Sequence, residues 1–184
     1  APDRVAGLRA RYQALADGRR IVGVVKCRLT IQRSGLLAKI AVDLRAALTR
    51  RLRDGARSTL RSRPVAATAH WSVEDLICTA GPSDAPYEER HSMFRVALVG
   101  AGTFGCRGPA GRELLTPGSL LLGNVNDGFE CGHEHGSGDR CLSFGYAPDY
   151  FERIAADAGA RNRRFLALRV PAIRAVAPLT AFQP

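Results

Sequence analysis

From Trp71 onward the chain is cut into short apolar runs, separated every ten residues or roughly so by Gly, Pro, Asn and Asp, the rhythm of an antiparallel sandwich or barrel. Seven strands are predicted, at about Ser72–Thr79, Ser92–Ala101, Gly102–Arg107, Arg112–Leu115, Ser119–Gly123, Gly128–His135 and Cys141–Tyr146. Gly81-Pro82, Gly108-Pro109, Pro117-Gly118, Asn124 to Asp127 and Gly136 to Asp139 supply the breaks between them. Pro148 opens a helix that Gly159 stops. The expected fold is therefore mainly β, an antiparallel barrel over about 72–146 followed by one helix.

Four potential metal ligands crowd one short stretch, Phe129-Glu-Cys-Gly-His-Glu-His-Gly-Ser-Gly-Asp-Arg-Cys-Leu-Ser-Phe144. Cys131, His133 and His135 alternate, so in a strand all three point to one face. A hairpin turning over Gly136 to Arg140 would set Cys141 opposite His135, about 5 Å away between Cβ atoms. Thiolate and imidazole converging on one point suit zinc or a similar borderline cation. The spacing is not a Cys-x2-Cys pattern, and small buried cysteines or a ligand-pocket wall give the plainer reading of the same residues.

The net charge of +10 invites a nucleic-acid reading that its distribution weakens. Residues 1–70 carry 16 Lys/Arg against 4 Asp/Glu, and the remainder 11 against 13. The basic third holds a single aromatic residue, Tyr12, and its best element runs from Gly35 to Gly55. There Leu36, Ile40, Leu44, Leu48 and Leu52 recur every fourth residue, and Arg50, Arg51 and Arg53 favour the helix C-terminus. This basic helical segment could pack on the main domain, meet an anionic surface, or belong to a poorly ordered extension. Arg, Ala and Gly enrichment is also what translated GC-rich DNA yields by accident, so a non-native stretch stays among the readings. No run approaches the ~18–20 apolar residues of a membrane span, so no membrane partner is expected. An odd number of cysteines, five, beside histidines suits a reducing compartment, and the cytoplasm is the expected location. A Cys131–Cys141 disulfide remains open under oxidation.

The block His91-Ser-Met-Phe-Arg-Val, then Gly102-Thr-Phe, then Leu115-Thr-Pro-Gly-Ser-Leu-Leu-Leu-Gly123, then the Cys-Gly-His-Glu-His stretch with Gly138-Asp-Arg-Cys-Leu-Ser-Phe144, resembles the N-terminal sensor domain of AraC-type transcription regulators. The resemblance covers about Val73 to Thr180. It implies a cupin-like β-barrel that binds a small-molecule effector and assists homodimerisation, with DNA bound only through a C-terminal pair of helix-turn-helix motifs. No such pattern occurs here, so none of the family's DNA contacts transfers to a residue of this chain.

The expected organisation is a basic extension over 1–70, a sensor barrel with its helix over 71–160, and over 161–184 a linker toward a DNA-binding half. A non-enzymatic, effector-sensing role follows, with Cys131, His133, His135 and Cys141 as metal candidates and His91 and Phe129 as effector-pocket candidates. Zinc is the cofactor the Cys/His stretch would suit. The alternative is a small cupin metalloprotein or metalloenzyme built on Cys-x-His-x-His. His133-Glu-His135 matches half of the usual cupin ligand pattern, but Gly136, Ser137 and Gly138 stand where its glutamate would follow.

Overall fold

A computed structural model describes residues 33–134 and 136–172. Helix α1 (Arg33–Asp54) leads into strands β1 (Leu60–Ala67), β2 (Trp71–Cys78), β3 (Tyr87–Arg90), β4 (Phe94–Gly102), β5 (Phe104–Gly108), β6 (Gly111–Leu115), β7 (Leu120–Gly123), β8 (Gly128–Gly132) and β9 (Asp139–Tyr146). Helix α2 (Pro148–Asp157) and a two-residue strand β10 (Arg169–Val170) follow.

The pairing is that of one long hairpin rolled over on itself. β2 pairs β9, β3 pairs β8, β4 pairs β7 and β5 pairs β6, all antiparallel. Rolling that ribbon brings β4 beside β9 and β5 beside β8. Two sheets result, ordered β1-β2-β9-β4-β7-β10 and β3-β8-β5-β6. The eight central strands thus form a jelly roll, the architecture of cupins. The mainly β, cupin-like expectation holds, with one correction. The sheets face each other as a sandwich and do not close into a barrel, and β1, β10, β3 and β6 are left as edges.

Alternation along the strands places the core between the sheets. Leu76, Cys141 and Val99 lie in one row across β2, β9 and β4. They meet Phe104, Cys106 and Leu115 from the smaller sheet. At 25 cal/mol per Å² or so of apolar area removed from water, this interface is the main stabilising term. Pro117-Gly118 makes its expected turn: Gly118 sits at φ 88°, where only glycine is unstrained, and its N–H donates to the Val99 carbonyl at 2.9 Å.

The opposite face of the larger sheet carries charge. Arg140 sends Nε and Nη2 to the two oxygens of Asp75 at 2.7 and 2.8 Å, and Nη1 to Asp43 of α1 at 3.2 Å. Arg63 of β1 reaches the same Asp75 at 2.6 Å. α1 is held on the sheet by this network and by Leu44, which is buried, whereas Leu52 at the end of the predicted stripe is 84% exposed. The helix has almost the predicted bounds, but its apolar stripe is used only in part.

Several elements differ from the sequence reading. Residues 60–67, placed in the basic extension, form β1 and pair with β2 along their length. Residues 165–170, placed in the linker, return to the domain: Leu168 is buried in the core and Val170 pairs with Leu120. α2 starts at Pro148 as expected, and its Phe151 stacks on Phe94 at 4.0 Å between centroids. The expected segments before residue 33 and after residue 172 lie outside the described residues.

Candidate metal centre

The hairpin expected around Gly136 to Arg140 does not form. β8 belongs to the smaller sheet, paired with β3 and β5, and β9 to the larger, paired with β2 and β4. The Gly-Ser-Gly-Asp stretch therefore carries the chain from one sheet to the other. A turn signal fixes a change of direction but not the partner of the strand that follows it.

This crossing brings together a different donor set. Asp139 opens β9 directly opposite Cys78, the last residue of β2. His133, just past the end of β8, is hydrogen-bonded through Nε2 to Oδ1 of Asp139 at 2.8 Å. Ligand atoms of Cys78, His133 and Asp139 all lie within 4.8 Å of one another. Zinc bonds of roughly 2.0–2.3 Å in a tetrahedron hold ligand atoms about 3.3–3.8 Å apart, so a small contraction would close the set on an ion.

The site is largely buried and partly unsatisfied. The His133 side chain is 3% exposed and that of Asp139 10%. Nδ1 of His133 is buried with no hydrogen-bond partner, which normally costs ~1–3 kcal/mol. The nitrogen that faces the carboxylate is Nε2, while Nδ1, on another edge of the ring, is the one left without a partner. The Cys141 thiol donates to the other oxygen of Asp139 at 3.3 Å, which makes it the nearest fourth donor.

The thiols are held as neutral groups. Burial, reinforced by the Asp139 carboxylate, pushes the Cys78 thiol up to about 11. Burial likewise drives Cys141 well above its ordinary value, again with Asp139 contributing. A metal would have to displace these protons to bind the thiolate.

Gly102 makes the close approach possible. It pairs with Asp139 from the β4 side at φ 77°, and a Cβ there would lie 2.1 Å from the Gly138 carbonyl. Only glycine lets β4 come near enough to β9 to seat Asp139 at this spot.

Of the four ligands expected from sequence, His133 sits in the cluster and Cys141 borders it through Asp139. Cys131 lies opposite Cys106 on β5, its thiol donating to that sulfur at 3.2 Å. His135 lies outside the described residues. Cys78 has no local signal that would place it with His133, because it is remote in sequence, and Asp139 reads as a turn residue. His91 and Phe129, the two residues expected from sequence to line an effector pocket, stack on each other with centroids 4.1 Å apart and planes 12° apart. The imidazole edge fills the space at Gly123, where a Cβ would lie 2.2 Å from Nε2. Burial, then the Arg95 charge, lowers His91 to about 4, so the stacked ring is neutral at pH 7.

No protein-family model matches the sequence, and no curated protein matches it at a significant level. Solved structures with a similar fold include a cupin superfamily protein from Desulfitobacterium hafniense, 15% identical, covering 50% of this chain and 82% of its own, with a TM-score of 0.41. A cupin domain from Bordetella pertussis is 15% identical over 50% of this chain and 96% of its own, with a TM-score of 0.40. The cupin domain of an XRE-family transcriptional regulator from Enterobacter cloacae is 14% identical over 48% of this chain and 97% of its own, with a TM-score of 0.42.

Proposed function

We propose that this chain is the sensing and dimerising domain of an AraC-type transcription regulator, and that a zinc-like cation at Cys78, His133 and Asp139 is part of what it senses. The regulator assignment rests on the Pro-Gly strand and the Gly138 to Phe144 run quoted above. The observation that supports a metal input is the convergence of the Cys78, His133 and Asp139 ligand atoms to within 4.8 Å of one another. Two buried donors and the part-buried Cys78 thiol, with Cys141 close by, offer four protein ligands, a set suited to holding an ion or reporting its presence. DNA recognition falls, in this reading, to a helix-turn-helix domain of the same regulator.

The second reading, a cupin metalloenzyme, gains one point. Asp139 supplies beside His133 the carboxylate that seemed absent from the sequence. The two readings part on the fourth position, filled by Cys141 in a sensor and by exchangeable water in a catalyst.

Metal analysis of the full chain, purified without an affinity tag, tests the site. One zinc-like ion per chain is expected in the wild type, with most of it lost in Cys78→Ser and in His133→Ala. Cobalt substitution separates the readings, because thiolate-rich four-coordinate and water-bearing sites differ in their visible spectra. A metal-free wild type after reconstitution with zinc sinks the metal input.

A further inference from the structure

A second site lies on the far side of the larger sheet. α1 presents Asp43, Ala46, Ala47, Arg50 and Asp54 along one helical face toward β1 and β2. Arg61, Arg63, Asp75 and Ile77 share the facing side of the sheet, since Arg61 pairs with Ile77 and Arg63 with Asp75. The small side chains of Ala46 and Ala47 keep the helix from filling the gap. A groove of about 470 Å³ remains, with Arg57 of the α1–β1 connection among its lining residues.

The charges of this groove are unevenly matched. Each of its carboxylates is already engaged: Asp75 by the Arg140 fork and Arg63, Asp43 by Arg140, and Asp54 by Arg53 at 2.8 Å. Arg51 is fixed on the Thr79 carbonyl and on Asp84 at 2.8 Å. Arg50, Arg57 and Arg61 have no acidic partner among the described residues. Three guanidiniums with open donor forks therefore face one concave space whose acids are spoken for. Guanidinium forks match oxyanions in geometry as well as charge.

We infer that this groove binds a small phosphorylated organic molecule of the diphosphate-ester class. Three uncompensated positive charges balance a diphosphate at neutral pH. The volume lies within the ~300–1,000 Å³ usual for small-molecule sites, larger than an inorganic anion needs. Ala46, Ala47 and Ile77 offer an apolar strip for the organic part. The groove stands independently of the metal centre, on other residues and the other face of the sheet.

Isothermal titration calorimetry on the full chain tests it, with inorganic pyrophosphate, ADP, adenosine, citrate and a random-sequence DNA duplex as probes. Saturable one-to-one binding of ADP is expected, tighter than pyrophosphate, weakening as salt rises, with no binding of adenosine. Arg57→Gln/Arg61→Gln should weaken ADP by about tenfold or more. The exposed Arg161→Gln should change nothing. Both variants alter exposed side chains, and unchanged thermal transitions will show that they are folded. Binding that ignores Arg57 and Arg61 overturns the inference, as does citrate binding without pyrophosphate. Duplex DNA binding tighter than ADP overturns it in favour of a nucleic-acid surface.

Discussion

Cys78 and Asp139 are cross-strand partners at the rim of the larger sheet, and His133 reaches them from the smaller one. The donor set is thus assembled by the closing of the sandwich, and no local stretch of sequence contains it. That gives an expectation opposite to the one drawn from spacing. In zinc-loaded protein, Cys78→Ser should release the metal, and Cys131→Ser should retain it, because Cys131 is committed to Cys106. Inductively coupled plasma measurement on dialysed samples decides. Loss in Cys131→Ser with retention in Cys78→Ser would return the site to the 131–141 stretch.

The buried Arg140 fork should dominate the stability of the α1 face. Arg140→Met removes the partner of two carboxylates and should cost about 3–5 kcal/mol in urea denaturation, since it leaves charge uncompensated. Replacing Asp75 and Arg140 together with apolar residues should recover much of that loss. A single-variant cost under about 1 kcal/mol would show that solvent reaches the network.

Asp75 also sets an acid limit. Its hydrogen bonds from Arg140, opposed by burial and reinforced by Arg63, hold the carboxyl below the ordinary 3.8. A lowered carboxyl contributes stability that is fully present above the unfolded value and lost as pH falls through the folded one. Asp75→Asn should therefore be less stable than wild type at pH 7, and the gap should narrow at the acid end. A gap independent of pH would place the effect in packing.

His91 titrates in a higher window. Its folded value of about 4 lies below the ordinary 6.5, so the unfolded chain takes up a proton that the folded one refuses. Stability should be intact above pH 6.5 and fall by about 1–3 kcal/mol as pH drops toward 4. Arg95 opposes the imidazolium, and Glu89 and Asp127 favour it, so burial decides the direction. In His91→Gln the slope between pH 6.5 and 4 should flatten. An unchanged slope would assign the titration elsewhere.

Strands that alternate were legible in the sequence, and strands that do not were invisible. β4 through β7 and β9 carry apolar residues at every second position or a Pro-Gly break, and their predicted bounds differ from the observed ones by a few residues at most. β1 is exposed along its whole length and holds Pro64, and β3 is Tyr-Glu-Glu-Arg. Both are edge strands whose partners, not their own pattern, make them strands. The same limit hid the Arg140–Asp75 fork, which joins residues 65 apart. His133 was legible because its local chemistry is conspicuous. Its partners were not, because which strand lies beside β9 is decided by the rolling of the whole ribbon.

That ribbon makes a last prediction about the thiols. Had β8 and β9 formed a hairpin, Cys131 and Cys141 would be the pair to oxidise. In the sandwich, Cys131 is instead the direct antiparallel partner of Cys106, with sulfurs 3.2 Å apart. Directly opposed residues in such a pair have Cα atoms about 4.5–5.5 Å apart, inside the span a disulfide bridges. Diamide, which accepts two electrons and two protons, should therefore join Cys106 to Cys131 with loss of two hydrogens from the intact mass. The step should be slow at pH 7, because contact with Cys106 and burial hold the Cys131 thiol far above its ordinary value and thiolate is scarce. Peptide mapping under non-reducing conditions identifies the product. A Cys131–Cys141 link formed from folded protein in place of Cys106–Cys131 would overturn this assignment of the reactive pair.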